Sequence, residues 1–399
     1  MEAPLFLLIV TLPGILGGCT LERALPMFRR SVYNFNAELT TRIADYSENH
    51  FVSSSLSLWA VLSAAAEGAE GTTLEELEKV LHHHYYKCFT LKYYDILRNA
   101  TTKDQDSTLE RSGVVVVDES IGVLDDYRRS IARVGISEMK SMPFSDSEYA
   151  ARAVNEYVRS VTHDAVGDLL TPEDFADRYL FLIDVIYFKG QWRLPFKAEE
   201  TEVTPFYNEH EVQLGDVNMM FQIGNFKIAH ITLIDATLIE LPYGTNDRHS
   251  MLIFLPRPGQ SISKVMNNLK RMSLKSIFFL LANESPQKAY LSMPRFKITS
   301  DLELKDLLDD MGLTKMFDEV EANFSSITAY PLYVSDVIQK ASIEVTEEGT
   351  VAAAVSEVAL EGRSMPLQIT INKPFFFVIA DKLNEMVLFN GAYSKPSLY

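Results

Sequence analysis

The chain has 399 residues, 47% of them hydrophobic, ample for a large core. Its 37 Lys and Arg stand against 54 Asp and Glu, a net charge of −17, which excludes a general nucleic-acid binder but leaves room for a local basic patch. Length alone allows two or three domains, yet no Pro/Gly/Ser linker, low-complexity run or internal repeat divides the sequence, so we read one large domain.

Residues 1–19, MEAPLFLLIVTLPGILGGC, hold an apolar run from Pro4 to Leu16, then small residues and the polar TLERAL. This is the pattern of a secretory signal peptide, too short for a membrane span, although Glu2 stands where a basic residue is usual. Leu16-Gly17-Gly18-Cys19 also has the form of a bacterial lipoprotein box, but no Lys or Arg precedes it. Cleavage would remove Cys19 or leave it terminal. Cys88 is then expected as a lone thiol, buried or incidental, in a chain held by its core without a disulfide.

From Pro26 to Ala44, Phe28, Val32, Phe35, Leu39 and Ile43 recur at three and four, which predicts an amphipathic helix. Val52 to Ser57, VSSSLS, leads into an apolar run from Leu58 to Ala66. His82, His83 and His84 are consecutive, so their side chains diverge and cannot converge on one ion. We expect a solvated patch there and no metal site. Lys87, Lys92 and Arg98 follow, interrupted by Asp95, and offer only weak support for a sulfated polysaccharide partner. Asn99-Ala100-Thr101 and Asn323-Phe324-Ser325 are glycosylation sequons if the chain is secreted; Asn283-Glu284-Ser285 is poorer because Pro286 follows.

Ser112 to Asp118 and Tyr179 to Phe188 are apolar runs of strand type, the second long enough for a central, doubly covered strand. Phe375 to Gly391 reads as two apolar strands around a polar turn. There is no G-x-S-x-G, H-E-x-x-H, Walker loop or dinucleotide fingerprint, which argues against an enzyme.

Glu344 to Pro374, EVTEEGTVAAAVSEVALEGRSMPLQITINKP, organises the rest. A strand-like start (Ile343, Val345) passes through Glu347, Glu348 and Gly349 into small residues, and Leu367 to Ile371 reads as a second strand. About twenty residues between strands is too long for an ordinary connection, and the composition is not that of a disordered linker. From Thr350 every second residue is small or apolar: Ala352, Ala354, Ser356, Val358, Leu360, Gly362. Period two marks a half-buried strand, yet a loop has no sheet to bury that face. The segment is written for two states, loop and strand.

This segment resembles the hinge and reactive-centre loop of the serpins, the serine-protease inhibitor family. Counting fourteen from Gly349 puts the residue before the scissile bond at Arg363 and the next at Ser364. Counting back nine from Asn372-Lys373-Pro374-Phe375 also gives Arg363. The resemblance extends from about Phe28 to Pro396, through VSSSLS, IYFKGQWRLPF with Trp192, ELPY, SMLIFLP, MPRF, Leu313 to Ile327 for a helix and turn, and the closing hairpin. It departs at Val52 and Ser55, where the family has Phe and Pro, at Asp184, where it has Asn, and at Gln339, where it has His.

The resemblance implies an α+β serpin fold over residues 26–396, with three β-sheets, about eight or nine helices and an exposed reactive-centre loop near 349–370. It implies a secreted, extracellular, monomeric inhibitor of trypsin-like serine proteases with Arg363 as bait, without cofactor, nucleic-acid or membrane partner. Glu347, Glu348, Gly349, Thr350, Val351, Ala352, Ala353 and Ala354 would form the hinge. Ser54, Ser57, Asp184, Trp192 and Gln339 would belong to the region where the sheet opens. An Asp184 carboxylate facing a Gln339 amide donor would rebuild the family's latch; otherwise Asp184 is solvated. A carrier of the same fold, cut without insertion, is opposed by the intact small-residue hinge. A polysaccharide- or receptor-binding module is opposed by the lack of a dense basic face.

Overall fold

A computed structural model describes residues 18–100, 107–162, 164, 167–348 and 366–399. Among them the helices are α1 (Leu21–Tyr46), α2 (Ser55–Ala66), α3 (Gly71–Val80), α4 (Lys87–Ala100), α5 (Asp125–Val134), α6 (Ser147–Thr162), α7 (Ile262–Leu269), α8 (Leu274–Asn283) and α9 (Lys305–Asp309). The strands are β1 (Phe51–Ser53), β2 (Ser107–Asp118), β3 (Glu138–Met142), β4 (Leu180–Gly190), β5 (Glu202–Tyr207), β6 (Gln213–Ile231) and β7 (Ala236–Pro242). They continue with β8 (His249–Pro256), β9 (Gln287–Pro294), β10 (Phe296–Glu303), β11 (Asp336–Val345), β12 (Leu367–Thr370), β13 (Phe375–Asp381) and β14 (Met386–Tyr393).

The apolar stripe of α1 buries Phe28, Val32, Phe35, Leu39 and Ile43, as its spacing predicts. The helix starts ahead of Pro26 because Thr20 caps it, its side chain accepting from Arg23 N at 3.4 Å. Beside that cap, Cys19 is joined to Cys88 of α4, with Cα atoms 6.0 Å apart, inside the range a disulfide spans. The expected lone thiol is therefore corrected: among the described residues no cysteine is free. Cys88 lies at the exposed surface. The packing of α1 on α4 brings together cysteines 69 residues apart, a proximity that spacing alone does not encode.

The histidine run also departs from expectation. His82 takes a left-handed conformation (φ 51°) just after α3 and turns the next ring inward. His83 meets Trp59 edge-on at 5.0 Å and lies 2.9 Å from Ser63 Oγ. Burial, assisted by the Lys87 charge, lowers its pKa to about 3. It is a neutral packing residue, not part of a solvated patch. The segment from Leu313 to Ile327 holds only a short 3-10 turn at Lys315–Phe317, and the preceding helix, α9, ends at Asp309.

Two hydrogen-bonded sheets carry the molecule. One has five strands in the order β10-β11-β4-β2-β3. The other has nine and bends along the 19-residue β6, whose last residues pair with β7 while the earlier part pairs with β5 and β9. The bend divides it into two strand layers, three in all with the five-stranded sheet. β1, β14, β13 and β8 continue beyond β7, and β12 closes the far edge parallel to β9. The first nine residues of β4 are all buried, which accounts for its near-continuous apolar run. Leu180, Leu182, Ile186 and Phe188 join the main core with α2, whereas Phe181, Ile183 and Val185 pack with α6 residues on the other face. That alternation decides which side chains face α2, and Asp184 shares the α2 parity.

Candidate functional site

The centre of the five-stranded sheet is a parallel pair. β11 runs beside β4 from Asp336↔Phe181 to Glu344↔Lys189, so no strand lies between them. Beneath the pair sits α2, buried along its whole length. Its N-cap is Ser54, whose hydroxyl accepts from Ser57 N at 3.3 Å and donates to Leu388 O at 2.6 Å.

Gln339 and Asp184 stand directly opposite each other across the two strands, and both are fully buried. Gln339 Nε2 donates to Asp184 Oδ2 at 2.6 Å and to Ser54 O at 2.8 Å. Its Oε1 accepts from Ser53 Oγ at 2.7 Å and from Ser54 N at 3.1 Å. The backbone of Ser54 thereby fixes which end of the amide points at Asp184. Ser57 Oγ donates to Asp184 Oδ1 and accepts from Arg111 Nε at 2.9 Å. Arg111 Nη2 donates to Ile136 O at 2.8 Å. Burial raises the Asp184 pKa to about 6, and Arg111, Ser57 and Gln339 oppose that rise. The solvated alternative for Asp184 is excluded by its burial.

This network brings together Ser54, Ser57, Asp184 and Gln339. It also includes two residues that reading the sequence did not single out, Ser53 and Arg111. Arg111 lies on the same parity of β2 as Val115 and Val117, which face the α2 core. A cation at the inward parity of an apolar strand was the available signal, and it sits just before the run Ser112 to Asp118.

β11 ends at Val345, and the residues just after it are held from the side. Trp192 is buried against Tyr243, with ring centroids 4.4 Å apart. Its Nε1 donates to Thr346 O at 2.8 Å and its backbone N to Glu348 O at 3.1 Å, while Phe196 N donates to Glu347 O at 3.1 Å. Glu347 Oε1 accepts from Thr201 Oγ1 at 2.7 Å and from Arg295 Nη1 at 3.4 Å, and Glu348 pairs with Lys189 at 3.1 Å. Glu347 and Glu348 are thus both anchored. Gly349, Thr350, Val351, Ala352, Ala353, Ala354, Arg363 and Ser364 lie outside the described residues.

Asn99 and Asn323 are both exposed. The basic residues of α4 are locally neutralised: Lys87 pairs with Glu67 at 3.3 Å, and Lys92 and Arg98 both pair with Asp95. Among the described residues no cluster of His, Cys, Asp and Glu has the form of a metal site.

A family model described as Serpin (serine protease inhibitor) matches residues 30–396. The chain is 29% identical to a serine protease inhibitor of Cyanea capillata, over 88% of this chain and 93% of that protein. It is 31% identical to Ipis-1 of Ixodes persulcatus, over 90% of this chain and 97% of the relative. Among solved structures, native protease nexin-1 with heparin superposes with a TM-score of 0.82 at 27% identity, covering 94% of this chain and 99% of that one.

Proposed function

The chain belongs to the serpin family, and on that premise we propose that it is a secreted suicide inhibitor of trypsin-like serine proteases, cut at Arg363–Ser364. The protease serine attacks the Arg363 carbonyl, the Arg363–Ser364 bond breaks, and an acyl-enzyme forms. Gly349 to Gly362 then enters between β4 and β11 as a new strand and carries the protease across the molecule. Fourteen residues in extended form reach about 46 Å. Serpins as a group release stored strain by inserting this loop; what is particular to this chain is the set of residues that permits it.

The observation that carries the reading is the closed β4–β11 pair, joined to a hinge of small residues and held by a separable polar latch. Insertion must part Asp184 from Gln339, and each has other partners to fall back on. Arg363 favours a trypsin-type pocket because the aspartate at its base pairs with a guanidinium. The family is one of protease inhibitors, so Ser364 is read as the residue after the cut and not as a nucleophile.

Secretion is supported by the leader pattern together with the Cys19–Cys88 disulfide, which requires an oxidising compartment in most cells. Cys19 must then remain in the mature chain, so the leader ends before it. Exposed Asn99 and Asn323 are proposed glycosylation sites. A sulfated polysaccharide remains the weaker partner, because Lys87, Lys92 and Arg98 are already paired. We read the inhibitor as a monomer.

The test is to mix the purified mature protein with trypsin and run denaturing gels. A band near the summed mass, absent with Arg363→Ala, is the expected result. A clipped product with trypsin fully active would overturn the proposal in favour of a carrier.

A further inference from the structure

We propose that Tyr399 is a positioning residue for loop insertion: it holds the Arg295 guanidinium on Glu347 and so keeps the chain that leaves β11 stapled across the β4–β11 seam. The residues before it form a strap with its own anchors. His50 Nδ1 accepts from Ser394 N at 3.3 Å and from Lys395 N at 3.2 Å, and Lys395 pairs with Glu48 at 2.7 Å. Farther along, the Tyr393 hydroxyl accepts from Ser397 N at 3.2 Å, and the Pro396 ring lies against Gly215, where a Cβ would come within 3.0 Å of it. These contacts run from the loop after α1 to the start of β6, and they bring Tyr399 to the junction of β9 and β10.

At that junction stands Arg295, between Pro294 of β9 and Phe296 of β10. Its Nε donates to Tyr399 O at 2.5 Å, and Asn218 Nδ2 donates to the same oxygen at 2.9 Å. The Tyr399 ring lies 5.9 Å from the guanidinium carbon, within cation–π range, and its hydroxyl faces the Glu344 carboxylate. That leaves Nη1 to reach Glu347 Oε1 at 3.4 Å. The Arg295 side chain is 32% exposed. A long ion pair from such a side chain contributes little by itself, because ordering the flexible stem offsets the attraction. Tyr399 removes much of that freedom before Glu347 is engaged, with a hydrogen bond at one end of the guanidinium and a ring over it.

The pair matters because of where Glu347 sits. Residues 346–348 are held from the β4 side through Lys189, Trp192 and Phe196, and Thr201 also holds Glu347. Arg295 supplies the contact from the β9–β10 side. β10 pairs with β11 through Phe296↔Val345, so this short segment spans the line along which β4 and β11 would separate. Opening by one strand spacing, roughly 4.8 Å, cannot leave both ends of the segment bonded. A well-ordered Arg295 therefore slows opening, and a loose one lets the segment move away with β4. This effect on rate rests on the loop-insertion reading above; the positioning of Arg295 does not.

Urea denaturation of Tyr399→Leu, Glu347→Gln and the double variant tests the positioning. Tyr399→Leu removes the ring and the hydroxyl. The destabilisation it causes should be smaller in the Glu347→Gln background than in the wild type, by a factor of at least about two in the unfolding constant. Tyr399→Phe, which keeps the ring over Arg295, should stay near the wild type. Equal effects of Tyr399→Leu in the two backgrounds overturn the proposal. Tyr399 lies at the surface, so its variants should fold; if Glu347→Gln does not, Arg295→Gln takes its place in the cycle. Uptake of a synthetic peptide of residues 350–362, followed on native gels, tests the effect on opening. It should quicken several-fold with Tyr399→Leu, keep its rate with Tyr399→Phe, and gain nothing further when Tyr399→Leu is added to Glu347→Gln. Unchanged uptake in Tyr399→Leu overturns the link to opening. So does an equal gain in both backgrounds, the mark of a general loosening. A peptide that no variant takes up refutes loop insertion, while the positioning still stands or falls on the urea cycle.

Discussion

Asp184 is an acceptor-only group in a place where the serpin resemblance leads one to expect an amide, and its surroundings are matched to that change. Both of its oxygens receive donors, from Ser57 and Gln339, and Ser54 locks the Gln339 amide in the orientation that donates. Asp184→Asn alone turns an amide donor toward the Gln339 donor or leaves Ser57 without its acceptor. Gln339→His alone leaves the carboxylate short of its partner. Each single change is expected to destabilise by roughly 1–3 kcal/mol. The double change, which installs the family's pair, should cost at least about 1 kcal/mol less than the sum of the singles. Urea denaturation of the four proteins measures this, and additive costs would show that the two positions are not one unit.

The pH dependence has a definite sign. The folded-state Asp184 pKa is about 6, above the ordinary 3.8, so the folded state holds a proton that the unfolded chain releases. Its contribution therefore favours folding below about pH 4 and is lost as pH rises through 6. Relative to Asp184→Asn, the wild type should lose stability between pH 4 and 6 and stay level above. His83 works the other way. Its pKa is lowered to about 3 from 6.5, so its contribution is present above pH 6.5 and fades as pH falls toward 3. Only the comparison with the variant isolates Asp184.

Elements were easier to read from the sequence than contacts. The stripe of α1 follows from its period and β4 and the β13–β14 pair from their apolar runs, because burial dictates residue type along the whole element, while the β7–β8 pair followed from the serpin resemblance. The Asp184–Gln339 hydrogen bond was legible because both residues break an apolar or family pattern. Arg111, the Cys19–Cys88 bond and the inward His83 were not, since each depends on which distant element packs alongside. The start of α2 shows an element-scale departure with a testable cost. Ser55 occupies its first position, where Pro is favoured because the missing N–H has no helical partner. The Ser55 hydroxyl is buried without a hydrogen bond, and Ser54 before it is extended at φ −126° and ψ 98°, as a residue preceding Pro requires. Ser55→Pro should therefore raise stability by about 1–2 kcal/mol, from reduced unfolded-state entropy and removal of the orphaned hydroxyl. A lower melting temperature for the variant would show that the ring does not fit beneath the sheet.

For the whole molecule, the proposed mechanism is a competition between loop insertion and hydrolysis of the acyl-enzyme. Everything described on the β4–β11 side bears on the rate of the first: the parallel ladder, the Asp184–Gln339 bond, and the Trp192 contacts that hold Thr346 and Glu348. Thr350 and Ala352 would be among the first side chains to enter, and they share the small-residue parity of the loop. Thr350→Arg would ask the sheet to bury a guanidinium against apolar strands with no acidic partner built for it, a penalty of several kcal/mol. Each 1.4 kcal/mol placed on the insertion barrier slows it about tenfold, whereas hydrolysis at Arg363 proceeds on the protease and is untouched. The balance should then pass from trapping to turnover. In the trypsin assay, Thr350→Arg is expected to be cleaved after Arg363 at an undiminished rate, to give no covalent band, and to leave trypsin active once the protein is consumed. Full inhibition by Thr350→Arg would mean that the loop need not enter the sheet, and the small-residue hinge would lose its explanation.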